Sequence, residues 1–239
     1  MLQGGRVEQI RLFIGWDHRE AVGGHVFIQS LIDTTHYPVN LTILTPELAN
    51  QLAPADANST NAFSRVRFLC PYLCGFKGFS IFLDGADMML RSSLIDLWAQ
   101  RDPNFALKVA KHDYKTKSET KYRGTVLEAK NEDYPKKNQS SAMLFWNEYE
   151  PTKQLTPGWV ADQASSYLHR FGWLPEEKIG DLPLGWNWLV GEYEYNKDAK
   201  NAHHTLGLPG FEQYRRADYA VEWTETLKRA AKGLQYLGK

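Results

Sequence analysis

The chain has 239 residues, of which 43% are hydrophobic and 23% charged, and its 28 basic and 28 acidic side chains give a formal net charge of zero. This balance argues against a protein whose main task is to coat nucleic acid or an anionic membrane. A chain of this length buries about 70% of its unfolded surface, so it needs no disulfide or structural zinc to fold.

The hydrophobic pattern predicts short strands that alternate with helices. In chain order we expect a strand at residues 10–14, a helix at 19–33 with Val22, Val26 and Ile32 on its packing stripe, a strand at 39–44, a helix that opens at Pro46, a polar loop at 54–60, a helix at 63–73, strands at 80–83 and 105–110 on either side of a helix that begins at 94, a strand at 142–145, a helix at 163–169, and an amphipathic helix at 214–237. This alternation predicts an α/β fold with a mixed, mainly parallel sheet flanked by helices. No linker or repeat divides the sequence, so a single domain over residues 1–239 is expected.

Cellular location and redox state are predicted from the N-terminus and the two cysteines. Cys70 and Cys74 are interpreted as buried thiols, since no further Cys or His completes a metal-binding spacing. Residues 1–9 lack the pattern of a signal peptide, and no apolar run approaches the roughly 20 residues of a membrane span. A cytoplasmic protein is therefore expected, and the sequence leaves its oligomeric state open.

Two carboxylates follow the apolar strand at 80–83, in the order Asp84-Gly85-Ala86-Asp87. Open α/β sheets bind ligands beyond the carboxyl ends of their strands, and carboxylates there suit Mg²⁺ or Mn²⁺. The alternatives are a simple Asp-Gly turn and a haloacid dehalogenase type of phosphatase. The phosphatase pattern Asp-x-Asp-Gly-Thr fits poorly, because Gly follows the first Asp and no Thr follows the second.

Six segments, taken together, resemble the GT-A fold glycosyltransferases of bacteria and phages that are similar to the glycogenin and galactosyltransferase group, family 8. The similar segments are residues 12–22, 67–75, 80–84, 134–145, 182–187 and 203–211. The resemblance implies a metal-dependent transferase that moves a sugar from a nucleotide-sugar donor, most simply a UDP-sugar, to a carbohydrate or glycan acceptor with retention of configuration. It also implies a GT-A-like, Rossmann-like fold.

The resemblance also implies roles for individual residues. Mn²⁺ or Mg²⁺ would be held by Asp84, Asp87 and His203, and the donor would contact Gly15, Trp16, Asp17, Arg67, Asp84 and Lys137. The acidic motif is one residue longer than the Asp-x-Asp of the group. The Asp-Gln pair on the acceptor side of the group has no clear counterpart, since Asp162-Gln163 lies earlier than expected.

The remaining candidates rest on residue chemistry near these motifs. Asn187 and Asp113 are predicted as catalytic residues, and His112 and Trp186 as acceptor-binding residues. Trp186 is equally consistent with a core position, because Trp buries a large area. Residues 108–137 hold nine basic and five acidic side chains, which fits either a solvated face or a lid.

Two other classes of function remain open at this stage. A non-catalytic sugar- or nucleotide-binding protein would keep the aromatic residues and lose the metal site. A metal-dependent phosphatase or nucleotidyl enzyme of another α/β fold would use the same acidic strand end.

Overall fold

The computed structural model describes residues 2–3, 6–55, 61 and 63–232. The strands are β1 (Leu2–Gln3), β2 (Arg6–Val7), β3 (Ile10–Gly15), β4 (Val39–Leu44), β5 (Phe79–Leu83), β6 (Met88–Leu90), β7 (Leu107–Val109), β8 (Thr120–Lys121), β9 (Ala129–Lys130), β10 (Ala142–Trp146), β11 (Ile179–Asp181), β12 (Trp188–Leu189) and β13 (Asn201–His203). The α-helices are α1 (Ala21–Thr34), α2 (Pro46–Leu52), α3 (Cys70–Leu73), α4 (Leu94–Trp98), α5 (Pro157–Asp162), α6 (Ser165–His169) and α7 (Ala220–Ala230).

The central sheet has six strands in the order β11-β7-β10-β5-β3-β4. β3 pairs in parallel with β4 and β5, and β11 pairs in parallel with β7. β10 alone runs the other way, antiparallel to both β5 and β7. The predicted mixed, mainly parallel sheet is therefore confirmed. The carboxyl ends of five strands and the amino end of β10 lie along one edge.

A smaller sheet completes this edge with the strands β12, β13 and β6. β6 and β13 are antiparallel, and their register pairs Met88 with His203. Because β6 begins four residues after β5 ends, the small sheet continues directly from the central one. Its register therefore sets which side chain lies beside the acidic turn between β5 and β6.

The apolar strands predicted at residues 10–14, 80–83 and 142–145 all form, and they form the centre of the sheet. Their side chains are mostly buried on both faces, as expected of strands at the centre of a sheet covered by helices. None of the described helices is long and apolar enough to cross a membrane. Both cysteines are free, with Cys70 buried and Cys74 half-buried.

The predicted stripe on the first helix is confirmed at Val26, which is fully buried, and wrong at Val22 and Ile32. Val22 and Ile32 are 40% and 59% exposed, whereas Gly23, Phe27 and Leu31 face the interior. The reason is a close approach that hydrophobicity does not encode. A Cβ at Gly23 would lie 1.9 Å from the carbonyl oxygen of Ala86, so this face of α1 packs tightly on the acidic turn.

The helix predicted at 214–237 is shorter, since α7 begins at Ala220 and residues 233–237 lie outside the described part of the chain. Tyr219 has a φ of +62°, a left-handed conformation that interrupts a helix. Tyr219 and Trp223, on the apolar face expected of this amphipathic helix, are buried, whereas Ala230, on the same face, is exposed. The predicted loop at 54–60 lies largely outside the described residues.

The helix predicted at 63–73 is also divided. A 3₁₀ turn at Val66–Leu69 precedes α3, whose second residue is Pro71. Proline lacks a donor N–H and is tolerated only in a first helical turn, so the helix starts there instead of running through. Arg67 lies in the 3₁₀ turn and is buried.

Candidate functional site

A cleft of about 510 Å³ opens at the carboxyl edge of the central sheet. The acidic turn after β5 forms its floor, and the amino end of β10 lies beside it, because the Asp84 N–H donates to the Ser141 carbonyl at 2.9 Å. The walls come from Asn61, Phe63, Ser64 and Arg67, from the β8–β9 hairpin and from α6. The described lining residues include Glu20, Phe63, Arg67, Asp84, Asp87, Lys121, Tyr122, Tyr134, Asn138, Ser140, His169, Arg170, His203 and Thr205.

The acidic turn absorbs the extra residue of the motif. The Ala86 N–H donates to the Asp84 carbonyl at 2.8 Å, and the Met88 N–H donates to the Gly85 carbonyl at 3.1 Å. Gly85 has a φ of +74°, and a Cβ there would lie 2.9 Å from the Cβ of Ile14. Only glycine therefore fits, and the compact turn brings both carboxylates to the same side.

His203 joins these carboxylates through strand pairing. It ends β13 opposite Met88, and the next N–H, that of His204, donates to the Asp87 carbonyl at 2.8 Å. One ligand atom each of Asp84, Asp87 and His203 lies within 4.8 Å of the others. Two carboxylates and one imidazole fit a divalent cation such as Mn²⁺, which accepts oxygen and nitrogen ligands. The three residues predicted as metal ligands are thus brought together.

Arg67 lies directly behind Asp84. Its Nη1 is 2.7 Å from Asp84 Oδ1 and also donates to the Ser140 carbonyl at 3.1 Å. The guanidinium is buried between the rings of Phe63 and Phe82, 5.1 Å and 5.0 Å from their centres. The positive charge of Arg67 offsets the negative charge of the carboxylates on the floor of the cleft.

The two carboxylates titrate in opposite directions. Burial raises the pKa of Asp84, although the guanidinium of Arg67 opposes the effect. Burial also acts to raise the pKa of Asp87, but the charge and hydrogen bond of His203 outweigh it and lower that pKa. A divalent cation would favour the ionised form of both groups.

Asn187 orients the imidazole of His203. The Asn187 amide nitrogen donates to the Asn138 carbonyl at 2.8 Å, which fixes which end of the amide is the oxygen. That oxygen lies 2.8 Å from Nδ1 of His203, so Nδ1 carries a proton and donates. Nε2 lies 3.1 Å from Asp87 Oδ2, and once its proton is released its lone pair would be available to a cation at that position.

We expect Asn187→Leu to weaken Mn²⁺ binding by about 10- to 100-fold, the usual effect of losing a hydrogen bond that orients a metal-ligating histidine. The measurement is calorimetric titration of the protein with Mn²⁺ alone. Asn187→Asp keeps an acceptor oxygen for Nδ1 and is expected to retain more affinity than the Leu variant. Equal Mn²⁺ affinity in the wild type and Asn187→Leu would contradict this role.

The hydrogen-bond chain continues from Asn187 to the surface. Its amide nitrogen also lies 3.0 Å from Nε2 of His112, and Nδ1 of His112 lies 2.8 Å from the Tyr193 hydroxyl. His112 is thus tied to the metal-facing histidine through one side chain, and it is not among the described residues that line the cleft. Its predicted contact with an acceptor stays a prediction.

Burial lowers the pKa of His112 from 6.5 to about 3, with a smaller contribution from His203. Between about pH 6.5 and pH 3, the unfolded chain therefore binds a proton on His112 that the folded chain does not bind. We expect the free energy of unfolding to fall as the pH is lowered through this window, and to fall less steeply in His112→Gln. Urea unfolding at several pH values between 7 and 4 measures both slopes; parallel slopes would refute the assignment.

Lys121 and Glu20 are two of the cleft residues that were not predicted from the sequence. Lys121 lies in the basic segment, where nothing distinguishes it from eight other cations. In the structure its Nζ is 3.0 Å from Thr205 Oγ1, and burial lowers its pKa although Asp87 and Asp84 oppose the shift. Burial, followed by the nearby charge of Asp87, raises the pKa of Glu20 to about 8.

Lys137, predicted to contact the donor, has a different environment. Its Nζ donates to Asn131 Oδ1 at 2.6 Å, and Asn131 in turn donates to Glu192 at 3.1 Å. The other Glu192 oxygen accepts from the Lys117 N–H at 2.7 Å. This buried network fastens the basic segment to the body of the protein, and Lys137 is not among the described residues lining the cleft.

The predicted nucleotide-contacting residues Gly15, Trp16 and Asp17 lie beneath the cleft wall. A Cβ at Gly15 would lie 2.3 Å from the ring of Phe63, so the glycine lets that cleft-lining ring pack down. Trp16 packs on Gly24 of α1. Asp17 is buried and pairs with Arg19, with Oδ2 and Nη2 2.6 Å apart.

Two further predicted positions lie apart from the cleft surface. Trp186 is fully buried in the core beneath the sheet, so its indole has no surface to offer an acceptor, and the core interpretation fits the structure. Asp113 is exposed and is not among the described residues that line the cleft. By contrast, Asp162 and Gln163 immediately precede the cleft-lining residues Ala164 and Ser165, nearer the cleft than their sequence position indicated.

Comparison with known proteins gives one sequence relative and several structural ones. No family model matches the chain. The sequence is 32% identical over 228 residues to Protein CDI of Arabidopsis thaliana, an alignment that covers 91% of this chain and 86% of that protein.

The solved structures with similar folds are glycosyltransferases. The bifunctional glycosyltransferase WbbM superposes with a TM-score of 0.63 at 16% identity, over 95% of this chain and 50% of WbbM. GlyE of Streptococcus pneumoniae TIGR4 gives 0.60 at 12% identity, over 92% of this chain and 60% of GlyE. The galactosyltransferase LgtC, in complex with donor and acceptor sugar analogs, gives 0.55 at 11% identity, over 91% and 95% of the two chains. The chain therefore spans half to three fifths of the first two, and the likeness confirms the predicted GT-A-like fold.

Proposed function

The chain belongs to the family of the Arabidopsis thaliana Protein CDI, and we propose that it is a metal-dependent glycosyltransferase that uses a nucleotide-sugar donor. The observation that carries the proposal is the meeting of Asp84, Asp87 and His203 on the floor of a cleft in a glycosyltransferase fold. Fold alone does not define an activity, but a cation site at the carboxyl edge of the sheet gives this fold a specific chemistry.

The reaction exchanges one bond to the anomeric carbon of the sugar for another. The bond to the donor diphosphate breaks, the acceptor hydroxyl oxygen forms the new bond, and its proton leaves with the diphosphate. Bound Mn²⁺ or Mg²⁺ would supply Lewis-acid stabilisation of the departing diphosphate. Asp84, Asp87 and His203 would hold the cation. Lys121 and Arg67 place positive charge on either side of the same floor.

We assign the nucleotide and the acceptor to different walls of the cleft. Asn61, Phe63, Ser64 and Arg67 form one wall, beside β3, where we place the nucleotide, and Phe63 gives that wall an apolar ring. α6 packs against this wall, since Arg65 Nε donates to Ser165 Oγ at 3.3 Å, and it contributes His169, whose Nδ1 lies 2.6 Å from Ser140 Oγ. We place the acceptor there, next to Asp162 and Gln163. Retention of configuration and UDP as the nucleotide come from the family 8 resemblance and belong to the proposal.

Calorimetric titration with UDP, with and without Mn²⁺, tests the binding step. Binding that requires Mn²⁺ supports the proposal, and failure of UDP, GDP, CDP and TDP alike to bind in the presence of Mn²⁺ refutes it. A screen of nucleotide sugars for slow hydrolysis with Mn²⁺ present tests the chemical step. Nucleotide binding without turnover of any sugar donor would favour a non-catalytic binding protein.

A further inference from the structure

Glu20 is a buried carboxyl group with an unoccupied hydrogen-bonding position in the cleft. It ends the 3₁₀ turn His18–Glu20, is 8% exposed, and is one of the residues that line the cleft. Its Oε1 atom is buried and has no hydrogen-bond partner among the described residues. A buried carboxylate oxygen without a donor is costly, so its presence in a binding cleft calls for an explanation.

The carboxylates around Glu20 disfavour its ionised form, and the nearby cation Arg19 opposes this effect only in part. Asp87 and Asp17 are nearby like charges, and Arg19 is engaged by Asp17 through two hydrogen bonds of 3.0 Å and 2.6 Å. The Tyr122 hydroxyl interacts with the Glu20 carboxyl, but Oε1 is left over. The folded chain therefore keeps an acidic group facing the cleft without supplying a donor for each of its oxygens.

Glu192 shows how this chain treats a glutamate that is buried for structural reasons. Its side chain is 3% exposed, Oε1 accepts from Asn131 at 3.1 Å, and Oε2 accepts from the Lys117 N–H at 2.7 Å. Both oxygens are therefore occupied. Both glutamates are buried, but only the Glu192 side chain has a partner for each oxygen among the described residues. The contrast indicates that Glu20 Oε1 binds a ligand.

The chemistry of the vacant position defines the group that would fill it. Burial keeps this carboxyl largely protonated at neutral pH, so it can both donate and accept a hydrogen bond, and a hydroxyl group, which does both, matches it. The position lies beside Asp87, at the end of the cleft where the cation and diphosphate are placed. An anionic phosphate oxygen would be repelled there, whereas a sugar hydroxyl is neutral and donates.

We propose that Glu20 determines substrate specificity by accepting a hydrogen bond from a hydroxyl group of the bound nucleotide sugar. The proposal rests on the function proposed above, and it adds a residue that neither the acidic motif nor the histidine segment contains. The hydroxyl belongs either to the ribose or to the transferred sugar, since both flank the diphosphate. Tyr122, on the β8–β9 hairpin, would close the same position from the other side.

The test compares Glu20→Met, which removes the acceptor at similar volume, with Glu20→Gln, which keeps a neutral acceptor, and with Glu192→Met as a matched buried control. Each is titrated with UDP, 2′-deoxy-UDP, 3′-deoxy-UDP and UDP-glucose in the presence of Mn²⁺. We expect Glu20→Met to weaken binding by about 3- to 10-fold, the effect of losing one neutral hydrogen bond, and Glu20→Gln to weaken it less.

The panel of ligands identifies the source of the hydroxyl. If it belongs to the ribose, UDP is weakened and the difference between wild type and Glu20→Met vanishes for one deoxy form. If it belongs to the transferred sugar, UDP-glucose is weakened while UDP is not. Equal affinities of the wild type and Glu20→Met for all four ligands would overturn the proposal.

Melting temperature without ligand separates a binding role from a structural one. Glu20→Met removes an unsatisfied carboxyl and is expected to leave the Tm unchanged or raise it, whereas Glu192→Met strands the partners of a satisfied carboxyl and lowers it by about 4–8 °C or more. A Tm loss in Glu20→Met as large as in Glu192→Met overturns the proposal.

UDP binding distinguishes failure of this proposal from failure of the proposed function. If Asp87→Asn loses UDP binding while Glu20→Met does not, only the proposal on Glu20 fails. If the wild type binds no nucleotide, both fail.

Discussion

Asp87→Asn is expected to reduce Mn²⁺-dependent UDP binding by at least about 100-fold and to abolish turnover, because catalytic metal sites depend on every charged ligand. The residue supplies one carboxylate of the acidic turn, and it contacts His203, whose Nε2 lies 3.1 Å away. The asparagine is nearly isosteric but neutral. Calorimetric titration with Mn²⁺ alone, then with UDP and Mn²⁺, measures the two losses separately.

Asp96→Asn is the matched control for this substitution. Asp96 lies on α4, its side chain is 57% exposed, and its nearest cation, Lys200, is 3.9 Å away. We expect this variant to bind UDP like the wild type. Retention of Mn²⁺-dependent binding in Asp87→Asn would remove the basis of the proposed metal centre, because the remaining two ligands cannot hold a cation tightly by themselves.

Arg67→Met is expected to reduce the free energy of unfolding by about 3–5 kcal/mol, the usual effect of leaving a buried charge without its partner. The guanidinium is 3% exposed and lies 2.7 Å from Asp84. Removing it takes away the cation that is in direct contact with the buried Asp84 carboxylate. Mn²⁺ supplies that charge, so the increase in Tm on adding Mn²⁺ is expected to be larger in Arg67→Met than in the wild type.

Arg229→Met tests whether the effect is specific to burial. Its guanidinium pairs with Asp33 at 2.8 Å but is 50% exposed, so its loss is expected to cost about 0–1 kcal/mol. Urea unfolding in the presence and absence of Mn²⁺ gives all the required values. If Arg67→Met is no more destabilising than Arg229→Met, or if Mn²⁺ stabilises it no more than the wild type, then Arg67 does not balance the charge of Asp84.

The candidate metal ligands could be predicted because each lies in a segment with its own pattern. Asp84 ends an apolar run, and residues 203–211 resemble a known histidine segment, so sequence alone placed Asp84 and His203 in one hypothesis. The mainly parallel sheet followed in the same way from strands that alternate with helices. Such patterns are local, since a strand of five apolar residues is encoded by those five residues.

The chemistry of the polar cleft residues was decided by tertiary structure alone. Lys121 and Lys137 are both lysines of one basic segment, and only packing makes the first a cleft residue and the second part of a buried network. Trp186 lies in a motif that resembles a site segment, yet its ring packs into the core. Glu20 lies in the similar segment at residues 12–22, but that resemblance gave it no role, because its burial at the cleft is visible only in the tertiary structure.

The sequence by itself determined the strands, their likeness to a glycosyltransferase pattern, and the identity of the three candidate metal ligands. Only the tertiary structure decided that Asp87 and His203, which are 116 residues apart, lie 3.1 Å from each other. Their contact depends on the register of β6 and β13, each three residues long. Strands this short carry no periodicity of their own, and a shift of one residue would turn His203 to the opposite face.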